Sequence, residues 1–183
     1  VEAGKSYDLE FYVRAEKTPW CRAAIVAPDG KSFAVSDMRV TADGGWHRYT
    51  ATFTPSETGN KNTLRLSFPA EGRVWIDYVS LFPRDTYKGR TNGLRKDVAT
   101  MIEELRPAFV RWPGGCIVEG LTLDNRVKWK ETIGDPIKRP GEYNLWGYRS
   151  TYGFGYHEFL QFCEDIGAEG MFVCNAGMSC LFR

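Results

Sequence analysis

No stretch of this sequence approaches the ~20 consecutive apolar residues of a membrane-crossing helix, so no membrane partner is expected. No block of like charge occurs either. Lys and Arg number 24 and Asp and Glu 23, for a net charge of +1. A nucleic-acid partner normally requires a basic patch, so none is expected. Histidine is scarce, with only His47 and His157. His157-Glu158 opens like H-E-x-x-H, but position 161 is Gln, so the zinc pair is missing. His47, beside Trp46, reads as a surface histidine. Cys21, Cys116, Cys163, Cys174 and Cys180 are odd in number and lack C-x-x-C spacing. They read as buried thiols rather than a disulfide framework or a zinc site. Asp77 is a single carboxylate, far short of the roughly 6–8 oxygens that calcium takes. No metal and no cofactor is therefore expected. The chain opens at Val1 in strand-like sequence, with neither an initiator Met nor a signal peptide.

What is present is enough for packed cores: 43% of residues are hydrophobic and 14% aromatic. Residues 1–83 read as all-β. Tyr7, Leu9, Phe11 and Val13 alternate with Asp8, Glu10, Tyr12 and Arg14, the period of a half-buried strand. Cys21 to Ala27 and Lys31 to Ser36 read as two more strands. Pro28-Asp29-Gly30 is the turn between them, with Pro setting φ and Gly supplying positive φ. Gly44-Gly45 opens a strand in which Tyr49, Ala51 and Phe53 share a face. Leu64, Leu66 and Phe68 mark the next. Val74 to Phe82 is apolar on both faces apart from Asp77 and Ser80, and is expected to be covered twice. Short strands with Gly and Pro turns indicate a β-sandwich of jelly-roll type.

The period changes at Pro83-Arg84-Asp85, which sets the expected domains at 1–83 and 84–183. Leu94, Val98, Met101, Ile102 and Leu105 follow helical spacing, with Thr91 or Asn92 as N-cap and Pro107 as the stop. Ala108 to Trp112 then reads as a strand buried on both faces. Pro113-Gly114-Gly115 ends it abruptly. Residues 117–152 show little periodicity and form a long loop of the kind that is usually functional or disordered. Tyr156, Phe159, Leu160, Cys163 and Ile166 mark a second helix, capped by Gly167. Met171 to Cys174 is another short buried strand. Helix, strand, loop, helix, strand is a crossover pattern that implies a parallel sheet, with ligands at the carboxyl ends of its strands.

LRPAFVRWPGGCIVEG (105–120), WKETIGD (129–135), RPGEYNLWGYRST (139–151), GYHEFLQFCEDIGAE (155–169) and VCNAGMS (173–179) occur in this order. VWIDYVSLFPRDTYKGRTNGLRKD (74–97) precedes them. Together they resemble the α-L-arabinofuranosidases of glycoside hydrolase family 51, in the long form with an inserted carbohydrate-binding-like module. The resemblance is dense over 74–183 and loose before it. It implies a β-sandwich followed by part of a (β/α)8 TIM barrel. Such a barrel needs about 250 residues, and only two strands are legible here. The chain is therefore expected to be a piece of a longer protein, with the rest of the barrel outside it. The family places its first barrel strand before the inserted module, so truncation is expected at both ends.

The implied chemistry is retaining, exo-acting release of terminal α-L-arabinofuranose from arabinan or arabinoxylan. Retention needs two carboxyl groups about 5–5.5 Å apart. The family's acid/base is the Glu of an Asn-Glu pair on a later strand, and its nucleophile is a Glu later still. No Asn-Glu pair occurs in this sequence, so no catalytic residue is expected within it. Glu119 reads as an exposed loop carboxylate rather than a substitute. The resemblance implies a substrate-binding surface instead: Gly115 and Cys116 at the strand's mouth, Trp146 in the long loop, and Asn175 at the end of the second strand. Each has a structural alternative, as turn, buried thiol, packing indole and backbone clasp respectively. Tyr152 departs from the family, which usually has Asp after Ser-Thr. Trp20, Trp46 and Trp75 read as packing rather than a sugar-stacking platform. The implied partner is an arabinose-containing polysaccharide or oligosaccharide, and the implied location is secreted or periplasmic. The alternative class is a non-catalytic carbohydrate-binding or structural module.

Overall fold

The computed structural model describes residues 1–180. It divides into two compact units, Val1–Ala99 and Thr100–Arg183.

The first unit is built from β1 (Tyr7–Glu16), β2 (Trp20–Val26), β3 (Ser32–Arg39), β4 (Asp43–Phe53), β5 (Thr63–Ser67) and β6 (Arg73–Pro83). They form two antiparallel sheets, in the orders β4-β1-β6 and β3-β2-β5. The alternation in β1 dictates its place. Leu9, Phe11, Val13 and Ala15 are fully buried, and they meet Ala23 and Ile25 of β2, Phe33 of β3 and Phe53 of β4 in one core. Each large side chain buried in this way contributes about 1.5–3 kcal/mol. Between β2 and β3 the turn forms as its residues require. Gly30 takes φ 88°, and Asp29 Oδ1 accepts a 2.9 Å hydrogen bond from the Lys31 amide.

The expectation that β6 is covered on both faces is corrected. Val74 and Leu81 pack on the core, but Trp75, Ile76, Val79 and Phe82 are exposed. The cause is local. Register against β1 shifts between Glu10 and Tyr12, and Tyr78 takes φ 46°, so a bulge breaks the strand's alternation. The packing role expected for three tryptophans is corrected too. Trp20, Trp46 and Trp75 are all exposed. Trp46 and Trp75 both pair with Arg14 of β1, whose guanidinium lies 4.8 Å from the Trp75 ring centroid. Trp20 is on the other sheet. His47 pairs with Asp43 at 2.8 Å on the exposed surface.

Helix α1 spans Lys96–Glu104. It starts later than Thr91 or Asn92, because Arg95 is held in an antiparallel bridge with Thr86 and Asn92 sits at φ 51° in a turn. Val98 and Met101 on the helix, and Leu105 just beyond its end, are exposed, whereas Ala99 is buried.

The second unit continues with β7 (Phe109–Trp112), α2 (Cys116–Glu119), β8 (Glu142–Tyr143), β9 (Arg149–Ser150), α3 (Tyr156–Ile166) and β10 (Glu169–Phe172). β7 and β10 pair in parallel, from Phe109↔Glu169 to Trp112↔Phe172. α3 ends on Gly167 in the left-handed region, as its sequence requires. The expectation of two doubly buried strands is corrected. Phe109 is 55% exposed and Met171 48%. Among the described residues this sheet has two strands, and α3 is the helix packed on it. The long loop is not structureless: it holds 3-10 turns at Leu123–Asn125, Trp129–Thr132 and Pro136–Lys138, then the β8–β9 hairpin.

Candidate functional site

A cavity of about 400 Å3 opens where β7 ends. Trp112, Pro113 and Gly114 form one wall, and the segment from Ser150 to Phe154 forms another. Ile117 of α2, Val127 and Trp146 complete the lining. The Trp112–Pro113 peptide is cis. Gly114 and Gly115 follow at φ 66° and 63°, and this double left-handed step turns the chain from strand into α2. Gly114 is also a close approach. A Cβ there would lie 2.4 Å from Arg111 Nη1.

Trp112 is held by aromatic packing. Its ring stacks on Phe159 at 5.5 Å between centroids and meets Phe154 edge-on at 5.4 Å and Phe172 at 5.7 Å. Phe159 is fully buried on α3, and Phe172 is the last residue of β10. The α/β unit thus fixes the cavity wall through one ring.

A polar cluster holds the opposite wall. The Arg139 side chain is only 2% exposed. It donates to both Glu158 oxygens, at 2.8 and 3.0 Å, and to the carbonyls of Gly134 (2.6 Å) and Tyr152 (2.8 Å). Glu158 in turn accepts from the Gly155 amide at 2.9 Å, the carboxylate half of a capping box. Gly155 is another close approach, since a Cβ would lie 2.1 Å from the Thr132 carbonyl oxygen. Burial works to raise Glu158, but the Arg139 bond and the amide bonds outweigh it and its carboxyl is lowered.

Tyr152, the departure from the family pattern, is buried at φ 59°. Its hydroxyl donates to Glu142 Oε2 at 2.9 Å and accepts from the Lys128 amide at 3.4 Å. Glu142 is buried too, and its Oε1 has no partner among the described residues. Burial raises the Glu142 carboxyl above its ordinary 4.5, with the Tyr152 bond opposing. Burial is also the main reason that the Tyr152 hydroxyl is raised.

This sets a pH dependence. A carboxyl raised in the folded state holds its proton more tightly there. Its stabilisation is complete below the unfolded value of 4.5 and is lost as pH rises through the folded value. Stability of the second unit should therefore fall on going up from pH 4.5 because of Glu142. Glu142→Gln should flatten that slope, as read by urea midpoints at a series of pH values. Equal slopes in the two proteins would refute the assignment.

The structure brings together only part of the predicted set. Trp146 lies at the tip of the β8–β9 hairpin, 55% exposed, at the cavity's rim. The buried Asn144 places it, its Oδ1 accepting from the Trp146 amide at 3.0 Å. Gly115 is the N-cap of α2, and a Cβ there would meet nothing within 4 Å. Cys116 opens that helix and is exposed; it is not a buried thiol, and it is not among the cavity-lining residues. Cys174 and Cys180 are likewise not buried, whereas Cys21 and Cys163 are. Asn175 is occupied locally: Nδ2 donates to the carbonyls of Val118 (3.1 Å) and Met178 (2.7 Å), and Oδ1 accepts from the Gly177 amide (2.6 Å). Sequence reasoning missed Trp112, Arg139, Glu142 and Phe154. The one available signal was Glu158, three residues into an amphipathic run.

Comparison with known proteins follows the same division. The α-L-arabinofuranosidase 1 domain profile matches residues 101–181, and a carbohydrate binding domain profile matches residues 1–72. An extracellular exo-α-L-arabinofuranosidase of Streptomyces chartreusis is 40% identical over 179 residues, which are 92% of this chain and 21% of that protein. α-L-Arabinofuranosidase 1 of Arabidopsis thaliana is 35% identical over 183 residues, 98% of this chain and 27% of that one. The solved structure of arabinose-bound MgGH51 α-L-arabinofuranosidase superposes with a TM-score of 0.90 at 29% identity, covering 98% of this chain and 30% of the other. The chain thus spans between about a fifth and three tenths of the length of these proteins.

Proposed function

The chain belongs to the α-L-arabinofuranosidases of glycoside hydrolase family 51, and on that premise we propose that it is part of a retaining, exo-acting α-L-arabinofuranosidase. The substrate is a terminal non-reducing α-L-arabinofuranoside of arabinan or arabinoxylan. The acid/base and nucleophile glutamates lie outside these 183 residues. Residues 1–83 form the inserted jelly-roll module, and residues 84–183 contribute two strands and two helices to a (β/α)8 barrel. The whole protein works outside the cytoplasm, secreted or periplasmic, as does the extracellular Streptomyces relative. The observation that most supports this reading is the fold match along nearly the whole chain to an arabinose-bound enzyme.

Within that enzyme, this chain supplies substrate-positioning surface. The cavity at the end of β7 takes the sugar, since ligands in parallel α/β folds bind at the carboxyl ends of strands. Trp146 offers an exposed indole face at the rim. Gly115 and Cys116 act from behind the lining, as the N-cap and first residue of α2, which carries Ile117 into the cavity wall. Asn175 acts through the backbone it clasps, holding the 175–178 loop against α2.

Two assays test the reading. The 183-residue chain alone should not hydrolyse aryl arabinofuranosides above background. In the full-length enzyme, Trp146→Ala should lower kcat/KM roughly 2- to 13-fold, the value of a lost aromatic contact of ~0.5–1.5 kcal/mol. The unfolding midpoint should hardly move, because the ring is more than half exposed. Turnover by the chain alone that vanishes in Glu119→Gln, or an unchanged kcat/KM in Trp146→Ala, would reject it.

A further inference from the structure

Cys116 and Cys180 lie far apart in sequence but side by side in the fold. One backbone group joins them. The Gly120 amide donates to the Cys116 carbonyl at 2.9 Å, closing the single turn of α2. The Gly120 carbonyl accepts from the Cys180 amide, also at 2.9 Å. Asn175 adds a second tie, its Nδ2 bonding the Val118 carbonyl within the same turn. The amide and carbonyl of Gly120 thus hold both cysteines to one turn. Cys116 is exposed and Cys180 half-buried, so small reagents can reach the pair. Cys21 and Cys163 are buried, and burial raises both thiols, so they are poor nucleophiles.

We propose that Cys116 and Cys180 are a redox pair that closes to a disulfide by exchange with a small-molecule disulfide such as glutathione disulfide. The Cys116 thiolate attacks one sulfur of the small disulfide. That S–S bond breaks, and one small thiolate leaves and takes up a proton. The Cys180 thiol then loses its proton and attacks the Cys116 sulfur of the mixed disulfide, releasing the second small thiolate. Two protein thiols are oxidised to one disulfide, and one small disulfide is reduced to two thiols. The exposed Cys116 attacks first. Cys180, the less accessible of the two, resolves. The bond would staple the 175–180 loop to α2, which carries Ile117 of the cavity wall. An oxidising compartment favours the closed form.

The experiment is chemical, so its outcome does not depend on the activity proposed above. The reduced 183-residue chain is incubated with glutathione disulfide, alkylated and mapped by mass spectrometry. Titratable thiols should fall by at least two, a cross-linked peptide should join Cys116 to Cys180, and dithiothreitol should reverse both. Closing so long a loop should raise the thermal midpoint by several degrees. In Cys116→Ser or Cys180→Ser the remaining member of the pair should stop at a bound glutathione, with no cross-link. A cross-link through Cys174 instead, or a wild-type thiol count that stays at five, would overturn the pairing. The wild-type readout decides the matter even if a serine variant folds poorly.

Discussion

Arg139→Ala should cost the second unit about 3–5 kcal/mol, the price of removing one partner from a buried ion pair. The Arg139 side chain is almost completely buried, and its guanidinium serves four acceptors at once: both Glu158 oxygens, the Gly134 carbonyl and the Tyr152 carbonyl. Alanine leaves all of them without that donor. Hydrogen exchange of the α3 amides, or the urea midpoint of this unit, reads the loss. Two further measurements separate the pair from simple packing. Glu158 is lowered in the folded protein, so its stabilisation exists above the unfolded value of 4.5 and is lost as pH falls through the folded value. In Arg139→Ala only burial and the amide bonds act on Glu158, so that acid loss should shrink or reverse. A double change to Met at 139 and 158 should recover only part of the cost, because the two carbonyls still lack their donor. A loss below about 1 kcal/mol, in the range of exposed pairs, would show that the guanidinium is solvated in solution.

Phe159→Ala should cost the same unit about 3–5 kcal/mol, the usual range for a large aromatic deleted from a core. Phe159 is 1% exposed and stacks on Trp112, with Phe172 6.2 Å away. Its removal leaves a void beneath the ring that forms the cavity wall. Trp112 is then free to tilt into that void, so the damage should reach the cavity as well as the fold. Tryptophan fluorescence should shift to the red as Trp112 gains water, alongside the lowered midpoint. Phe159→Leu should retain more than half of the stability, since it keeps most of the apolar volume. If alanine and leucine behave alike, the contact with Trp112 is not what holds the wall.

Local pattern by itself determined the strands of the first unit and α3. The alternation in Tyr7–Glu16 admits one inward face, and Leu9, Phe11, Val13 and Ala15 are the residues found there. Gly167 stops α3 because the left-handed position suits glycine. These are properties of neighbours in sequence, where a period of two or of 3.6 reports directly which side chains share a face. The cover expected over β7 and β10 is not found among the described residues, and here the pattern has a limit. An apolar run states that a strand tolerates burial, not that another layer is there to bury it.

The site was decided by the tertiary structure. Arg139 and Glu158 are 19 residues apart, and neither stands in a pattern that names the other. Glu142 finds Tyr152 only because the β8–β9 hairpin folds between them. Trp112 reads as one more residue of a buried strand until Phe154, Phe159 and Phe172 close around it and turn its ring into a wall. Cys180 reaches Gly120, at the end of α2, only when the last described loop returns to that helix. In each case the contact belongs to chain segments brought together by folding. A sequence period carries no information about such pairs, because the hydrogen bonds and packing that select them exist only between surfaces the fold has already made.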